Sequence, residues 1–534
     1  MTSRHDSSRA ANQAAGASPS SKSGLPRFLR FSLAAASGLL LSAALPPSPF
    51  GWLAWAAVIP LFWSVEGLTP AGAFRIGLCA GFVHYLTLLY WILFVLGHYG
   101  GLPPLLAVPP LVMLCLYLAL YPALFSAGWR LVGDLPAAAF WGAGLWTVLE
   151  LIRGWLLSGF PWCPLGVSQS QNLPLIQMAD IAGTGGLSFL IVFINVALYR
   201  LLRHPRGALA LQGGGVLLIG VFFLGAALAY GFVRVDRYAA PAARSEQDIE
   251  VALVQANIDQ SLKWDAAYQA RTLELYRTLT ETASKEAARL IVWPETAAPF
   301  FFGPDQEDLS EHIRQTARDA GVPILFGSPA YERDEARTRY FNRAYLLSGE
   351  GSVVGSYDKV HLVPFGEYVP LKRLLFFIDR LVPAAGDFTQ GPGPLPIRHR
   401  DLALGVLICF EAVFPNLARQ QVQAGANLLV NITNDAWFGR SSAPYQHLAM
   451  SVFRAVENRT SLVRAANTGI SAFVSPAGEV LESSPIFTEA VLVHRVPLAA
   501  APGGTVYTRW GDGWIVVLGG MLLVRLAFAW RRRR

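Results

Sequence analysis

The sequence predicts a membrane protein in which a bundle of eight transmembrane α-helices carries an α/β domain, on three observations. Charged residues make up 15% of the 534 residues and hydrophobic ones 53%, with a mean hydropathy of +0.38. That is too little charge to cover a water-facing surface, so much of the apolar surface must face lipid. Eight apolar stretches, seven before residue 235 and one after 510, mostly reach the roughly 20 residues that a helix needs to cross a bilayer. Between the seventh and the eighth lies a segment, 240–508, that carries most of the Asp and Glu and alternates short β-type runs with amphipathic helical ones.

The elements follow in chain order. Residues 1–27, rich in Ser, Ala and Gly, read as a disordered tail. Apolar stretches then cover 28–46, 51–65, 74–97, 103–129, 136–157, 174–199 and 210–233, the second being marginal in length. SAAL, at 42–45, resembles a signal-peptide cleavage site, but the long polar lead and the six stretches behind it favour an uncleaved first span. WIVVLGGMLLVRLAFAW (514–530) is the eighth stretch, followed by Arg531 to Arg534 in a final segment, 513–534.

Lys and Arg beside the spans set orientation, because they stay on the cytoplasmic side. With the N-terminus inside, fourteen such residues are cytoplasmic: Arg4, Arg9, Lys22, Arg27, Arg30, Arg75, Arg130, Arg200, Arg203, Arg206 and Arg531 to Arg534. The opposite loops of the 28–235 membrane domain hold only Arg153. Both termini are then cytoplasmic and the 240–508 domain lies outside the cytoplasm. Basic residues form no stripe on that domain, so nucleic acid is not expected as a partner. Glu150 and Arg153, three apart, can share a helix face and neutralise each other. Trp155, Phe160 and Trp162 mark the outer membrane interface.

Four cysteines, at 79, 115, 163 and 409, form no metal-binding or disulfide pattern, so no metal site is expected. Within the domain, IEVALVQANI (249–258) reads as a buried strand, followed by a helix from about 265 to 287. RLIVWPE (289–295) is a strand stopped by Pro294, which sets Glu295 just past its carboxyl end, where open α/β sheets bind ligands. VPILFGS (322–328) is a further strand, and FNRAYLLS and VVGSYDK (341–359) form a pair joined through GEGS. KVHLVPFGEYVP, beginning at Lys359, has too much Pro and Gly for a helix and reads as a shaped loop. LALGVLIC (402–409) ends in Cys409, and NLLVNIT (427–433) runs into NDAWFG.

Glu295, Lys359 and Cys409 thus stand at three strand ends, 64 and 50 residues apart. Their chemistry is complementary. A thiol attacks as thiolate and needs a base and nearby positive charge. A carboxylate can take its proton, and an ammonium group can hold the oxyanion that forms on a carbonyl. Singly, each also fits a structural role: a buried cysteine, a capping glutamate, a solvated Asp358–Lys359 pair.

WPET, YDKVHLVPFGEYVP and CFE resemble the Glu-Lys-Cys signatures of the nitrilase, or carbon-nitrogen hydrolase, superfamily. Eight spans with such a domain before the last resemble the apolipoprotein N-acyltransferase family over about residues 30–530. The resemblance implies an α-β-β-α sandwich, with Glu295 as base, Lys359 as oxyanion stabiliser and Cys409 as nucleophile. It implies Glu367 and Glu411 as supporting acids, and Trp264, Phe410 and Trp437 beside the substrate. Phe410 departs from the tyrosine common in the family.

The reaction implied is acyl transfer through a thioester. The donor is a phospholipid, typically phosphatidylethanolamine, and the acceptor is the N-terminal amine of a diacylglyceryl lipoprotein. The enzyme would be a monomer of the bacterial inner membrane with its catalytic domain in the periplasm, and would use no cofactor. A cover over the thioester is expected at 371–386, an amphipathic segment, or at the aromatic 299–303. A membrane-tethered amidase or hydrolase, and a receptor or transporter whose outer domain only binds ligand, are the competing readings.

Overall fold

The computed structural model of the protein describes residues 25–135, 137–206, 208–239, 248–334, 337–369, 387–500 and 504–531. The expected cover at 371–386 lies outside the described residues, as does the polar tail through residue 24. Each apolar stretch contains helix: Arg27–Ala43, Ile59–Ser64, Pro70–Leu88, Pro104–Val132, Ala138–Arg153, Ala179–Arg203, Ala208–Ala239 and Gly513–Arg531. Four of them, Pro70–Leu88, Pro104–Val132, Ala179–Arg203 and the Leu211–Tyr238 part of the seventh, are long and apolar enough to cross a membrane. The second stretch is no continuous helix: a 3-10 turn, Gly51–Trp55, precedes a helix of 6 residues.

Packing within the bundle relies on small residues. A Cβ on Gly77 would lie 2.5 Å from the Pro122 carbonyl oxygen, and one on Gly81 would lie 2.8 Å from the Ala119 Cα. Glycine at both sites lets the Pro70–Leu88 and Pro104–Val132 backbones meet, as helices do where lipid supplies no hydrophobic drive. Phe222, Phe232, Val233 and Leu523 point outward and are well exposed. Such a belt suits hydrocarbon and not water.

The α/β region holds two six-stranded sheets. The first contains β1 (Asp248–Gln255), β2 (Leu290–Val292), β3 (Ile324–Arg333), β4 (Thr338–Leu347) and β5 (Val353–Asp358). The second contains β6 (Ile397–His399), β7 (Leu402–Ile408), β8 (Leu428–Thr433), β9 (Leu462–Ala466), β10 (Ala472–Val474) and β11 (Val480–Ser483); β12 (Ala490–Pro497) returns to pair with β1 in the first. The order is β12-β1-β2-β3-β4-β5 in one sheet and β11-β10-β9-β8-β7-β6 in the other. In each, three parallel strands, β1-β2-β3 and β7-β8-β9, are flanked by antiparallel ones. Parallel strands buried on both faces read as continuous apolar runs, which is why LIV and LALGVLI were legible as strands.

Val251, Val292 and Leu325 of the first sheet meet Val406, Val430 and Val463 of the second in one core. Helices Ala266–Ser284 and Glu307–Ala320 cover the far face of the first sheet through Leu273, Tyr276, Ile313 and Ala317. Pro415–Gln423 and Ala443–Asn458 cover that of the second through Leu417, Val422, Met450 and Phe453. The result is an α-β-β-α sandwich.

The second helical layer also seats the sandwich on the bundle. Arg459 donates to Asp180 at 2.7 Å, Arg234 of the bundle donates to the same carboxylate, and Thr184 donates to Glu457 at 2.9 Å. Trp162, expected as an interface anchor, is instead 1% exposed and donates its indole N–H to Gln446 of the sandwich at 2.7 Å. Trp155 remains exposed, as expected. Glu150 and Arg153 do not bond each other: Arg153 donates to the Tyr85 hydroxyl at 2.8 Å, while Glu150 accepts from Trp146 and the Leu165 amide. A partner on a neighbouring helix wins over the i,i+3 pairing that spacing alone suggests.

Candidate active site

Strands of both sheets deliver polar residues to one edge of the sandwich. Glu295 follows β2, Lys359 follows β5, Cys409 follows β7, and Asn434 and Asp435 follow β8. Lys359 is 1% exposed and donates from Nζ to Glu367 Oε1 at 2.8 Å and to Glu295 Oε1 at 3.4 Å. It is no solvated partner of Asp358, whose carboxylate pairs with Arg343. Asn342 of β4 donates its amide to the same two carboxylates, at 2.8 Å each. Glu295 Oε2 accepts the Asn434 amide at 3.0 Å, and Glu367 Oε2 accepts that of Val363 at 2.8 Å. Both carboxylates are therefore held in place, and the ammonium group lies between them.

Cys409 does not end β7. It opens a one-turn 3-10 helix, Cys409–Val413, with its own φ at 52°. A non-glycine residue in this left-handed region costs about 1–3 kcal/mol and persists only where its surroundings enforce it. The turn lifts the half-buried thiol off the strand axis and sets it beside Thr433, whose hydroxyl donates to Asp435 at 2.9 Å. Burial pushes the thiol up, Glu295 pushes it further, and Lys359 opposes both. A thiol held up in this way carries little thiolate at neutral pH, so it needs a base at the moment of attack. Burial works against the Lys359 charge, but Glu367 and Glu295 outweigh it and raise the ammonium above its usual range. It stays charged wherever the protein is folded.

Glu411 is fully buried and supports the site from behind. Its two oxygens accept from the Ile408 amide at 2.7 Å, the Val360 amide at 2.7 Å, the His361 amide at 3.0 Å and the Tyr357 hydroxyl at 3.1 Å. It thereby ties the loop after Lys359 to the turn that carries Cys409. Burial pushes its carboxyl up to about 7 against the pull of these bonds. Glu411→Gln would turn an NH2 group toward donors, and an unsatisfied buried group costs about 1–3 kcal/mol. A drop in Tm on heating of Glu411→Gln relative to wild type is the expected result, and an unchanged Tm would remove the bracing role.

The other expected residues lie further out. Phe410 is buried, with its ring 6.3 Å from that of Trp162 and 6.2 Å from that of Phe160. The residue after the cysteine therefore makes the contact with the membrane bundle through ring packing, without a hydroxyl. Trp437 is half-buried and packs edge-on against Tyr99 at 5.0 Å. Trp264, 54% exposed, lines a cleft of about 400 Å³ with Phe301, Tyr340 and Phe388. The 299–303 segment is not a free cover: Phe300 and Phe302 are buried, and Phe302 packs on Phe326 and Tyr345.

Sequence reasoning missed Asn342 and Lys263. Lys263 is 2% exposed and donates to the Glu295 main-chain oxygen at 3.2 Å; burial brings it down to about 8, with Glu295 opposing. A polar residue inside an otherwise apolar strand, as in FNRAYLL, was the one visible signal for Asn342. Among the described residues no cluster of His, Cys, Asp and Glu could hold a metal ion.

Residues 37–197 match the family model described as the apolipoprotein N-acyltransferase N-terminal domain, and 250–502 match that of the carbon-nitrogen hydrolases. The apolipoprotein N-acyltransferase of Geobacter metallireducens is 44% identical over 511 residues, 93% of this chain and 95% of its own. That of Azotobacter vinelandii is 36% identical over 516 residues, 94% and 95% of the two chains. A solved nitrilase-superfamily amidase from Nesterenkonia AN1 matches at 24% identity over 51% of this chain and 97% of its own, with a TM-score of 0.38. Relatives this similar over nearly their whole length show that the chain belongs to the apolipoprotein N-acyltransferase family, membrane enzymes with a nitrilase-type domain.

Proposed function

We propose that Cys409 takes an acyl chain from a phospholipid, in this family's chemistry phosphatidylethanolamine, and passes it to the N-terminal amine of a diacylglyceryl lipoprotein. The observation that carries this reading is the meeting of Cys409 with the Glu295–Lys359–Glu367 cluster at a sandwich edge seated on an apolar bundle. The thiol gives its proton to Glu295 as sulfur attacks the ester carbonyl, and the tetrahedral oxyanion forms beside the Lys359 ammonium. Collapse breaks the ester C–O bond, Glu295 returns the proton to the leaving oxygen, and a lysophospholipid departs from the thioester. In the second half the lipoprotein amine attacks, loses a proton to Glu295, and the C–S bond breaks; the thiolate recovers that proton. Charge is neutral overall in each half, and no cofactor or metal is required.

Both substrates are anchored in lipid, and seating the site on the bundle turns a three-dimensional search into a surface one. The Phe160, Trp162 and Phe410 rings supply an apolar path from the bundle to the thiol. In this reading the eight apolar stretches are eight crossings, both termini are cytoplasmic and the sandwich is periplasmic. Gly51–Ser64 would make the second crossing as a broken helix of roughly 21 Å. The protein would act as a monomer in the bacterial inner membrane.

Incubating the full chain with phosphatidylethanolamine is expected to add one acyl mass to the protein, and adding a diacylglyceryl lipopeptide is expected to discharge it onto the lipopeptide amine. Free fatty acid with no acylated amine would instead mark a hydrolase, and absence of any adduct would sink the reading.

A further inference from the structure

The deepest polar cluster in the sandwich takes no part in the chemistry above. His447, Asp435 and Arg464 are each fully or almost fully buried behind Cys409. Arg464 donates from Nη2 to Asp435 Oδ2 at 2.6 Å and to His447 Nδ1 at 3.0 Å, and from Nε to the Ile470 carbonyl at 3.2 Å. Its Nη1 donates to the Asn431 side-chain oxygen, and Asn431 donates to the Leu407 carbonyl at 2.8 Å and reaches that of Cys409 at 3.5 Å. His447 Nε2 stands 3.1 Å from the Cys409 carbonyl oxygen.

One proton of the imidazole is set by its partner. A carbonyl oxygen can only accept, so Nε2 carries a proton and donates it to Cys409, while Nδ1 lies between Arg464 Nη2 at 3.0 Å and Asp435 Oδ1 at 3.1 Å. Burial and the Arg464 charge lower the ring's affinity for a second proton, with Asp435 opposing. His447 is thus a donor to Cys409 whose other ring nitrogen is already occupied. It is not the base of a cysteine–histidine pair, because it faces the carbonyl of Cys409 and not its sulfur.

A buried ion pair is weak evidence for stability, since desolvation offsets its attraction. A desolvated Asp–Arg–His set under a nucleophile in the left-handed conformation calls for a positional reason. We infer that His447, oriented by Arg464 and Asp435, is a positioning residue that holds the Cys409 carbonyl and so keeps the thiol turned toward Glu295 and Lys359. The inference rests on Cys409 acting as the acyl acceptor from phospholipid.

The test measures acyl-Cys409 formation on the full chain with phosphatidylethanolamine vesicles, together with KM for the lipid and Tm. His447→Leu is expected to slow acylation on the order of 100-fold, as a misplacement of about 1 Å does, with KM little changed and Tm lowered by the buried groups it leaves unpaired. His447→Gln, whose amide N–H can take the place of Nε2–H, is expected to restore the rate to within about fivefold of wild type. If His447→Leu does not fold, His447→Asn, one methylene too short to reach that carbonyl, replaces it with the same expectation. Acylation by His447→Leu or His447→Asn within threefold of wild type, or a His447→Gln rate as low as that of His447→Leu, would overturn the assignment. Failure of the wild type to acquire an adduct is a separate result, and it strikes the acyl-transfer reading instead.

Discussion

Cys409→Ala is expected to lose both halves of the reaction: no acyl adduct on incubation with phospholipid, and transfer to a lipopeptide amine reduced by roughly 10³-fold or more. Cys409→Ser is the more informative variant. It keeps the left-handed turn, the contact with Thr433 and a nucleophilic atom, but a hydroxyl is far harder to ionise than a thiol that burial and Glu295 already push up. A slow ester adduct that accumulates on Cys409→Ser, because the lipopeptide amine discharges it poorly, is the expected outcome. The folded state should survive both changes, since the Cys409 contacts described above run through its carbonyl oxygen and not its sulfur alone. A Cys409→Ala protein that still acylates lipopeptide at wild-type rate would move the chemistry to another nucleophile.

The edge that carries Cys409 and the seat on the bundle are built from one set of elements. Helix Ala443–Asn458 carries His447 toward Cys409 on one side, while Gln446 and Glu457 bond Trp162 and Thr184 of the bundle. Arg459, in the left-handed conformation that ends this helix, closes onto Asp180. Movement of the sandwich on the bundle would therefore act directly on the backbone of Cys409.

How legible these features were in sequence follows the physics of each. Buried parallel strands such as LALGVLI announce themselves as apolar runs, and their carboxyl ends locate Glu295 and Cys409 without a structure, while Lys359 stands at the end of the antiparallel edge strand β5. Trp162 was misread because an aromatic residue near the end of a span looks the same whether it meets headgroups or a covering domain. His447 was missed because a single histidine in an amphipathic helix reads as surface. Its signal was position: with Ala443, Met450 and Arg454 it follows the 4-3-4 spacing of a buried stripe. Asn342 and Lys263 act through partners far away in sequence, and no local pattern encodes that.

Lys359→Met tests the other half of the site, and both rate and stability are expected to fall. Methionine fills the space of the side chain but leaves Glu295 and Glu367 bridged only by the Asn342 amide. Losing the donor at the oxyanion costs on the order of 10²–10³-fold in acylation. Breaking a buried ion pair by removing one partner leaves uncompensated charge and costs about 3–5 kcal/mol, so Tm is expected to fall together with the rate. A variant with unchanged Tm and acyl-enzyme formation within threefold of wild type would show that the ammonium group neither balances the two carboxylates nor holds the oxyanion.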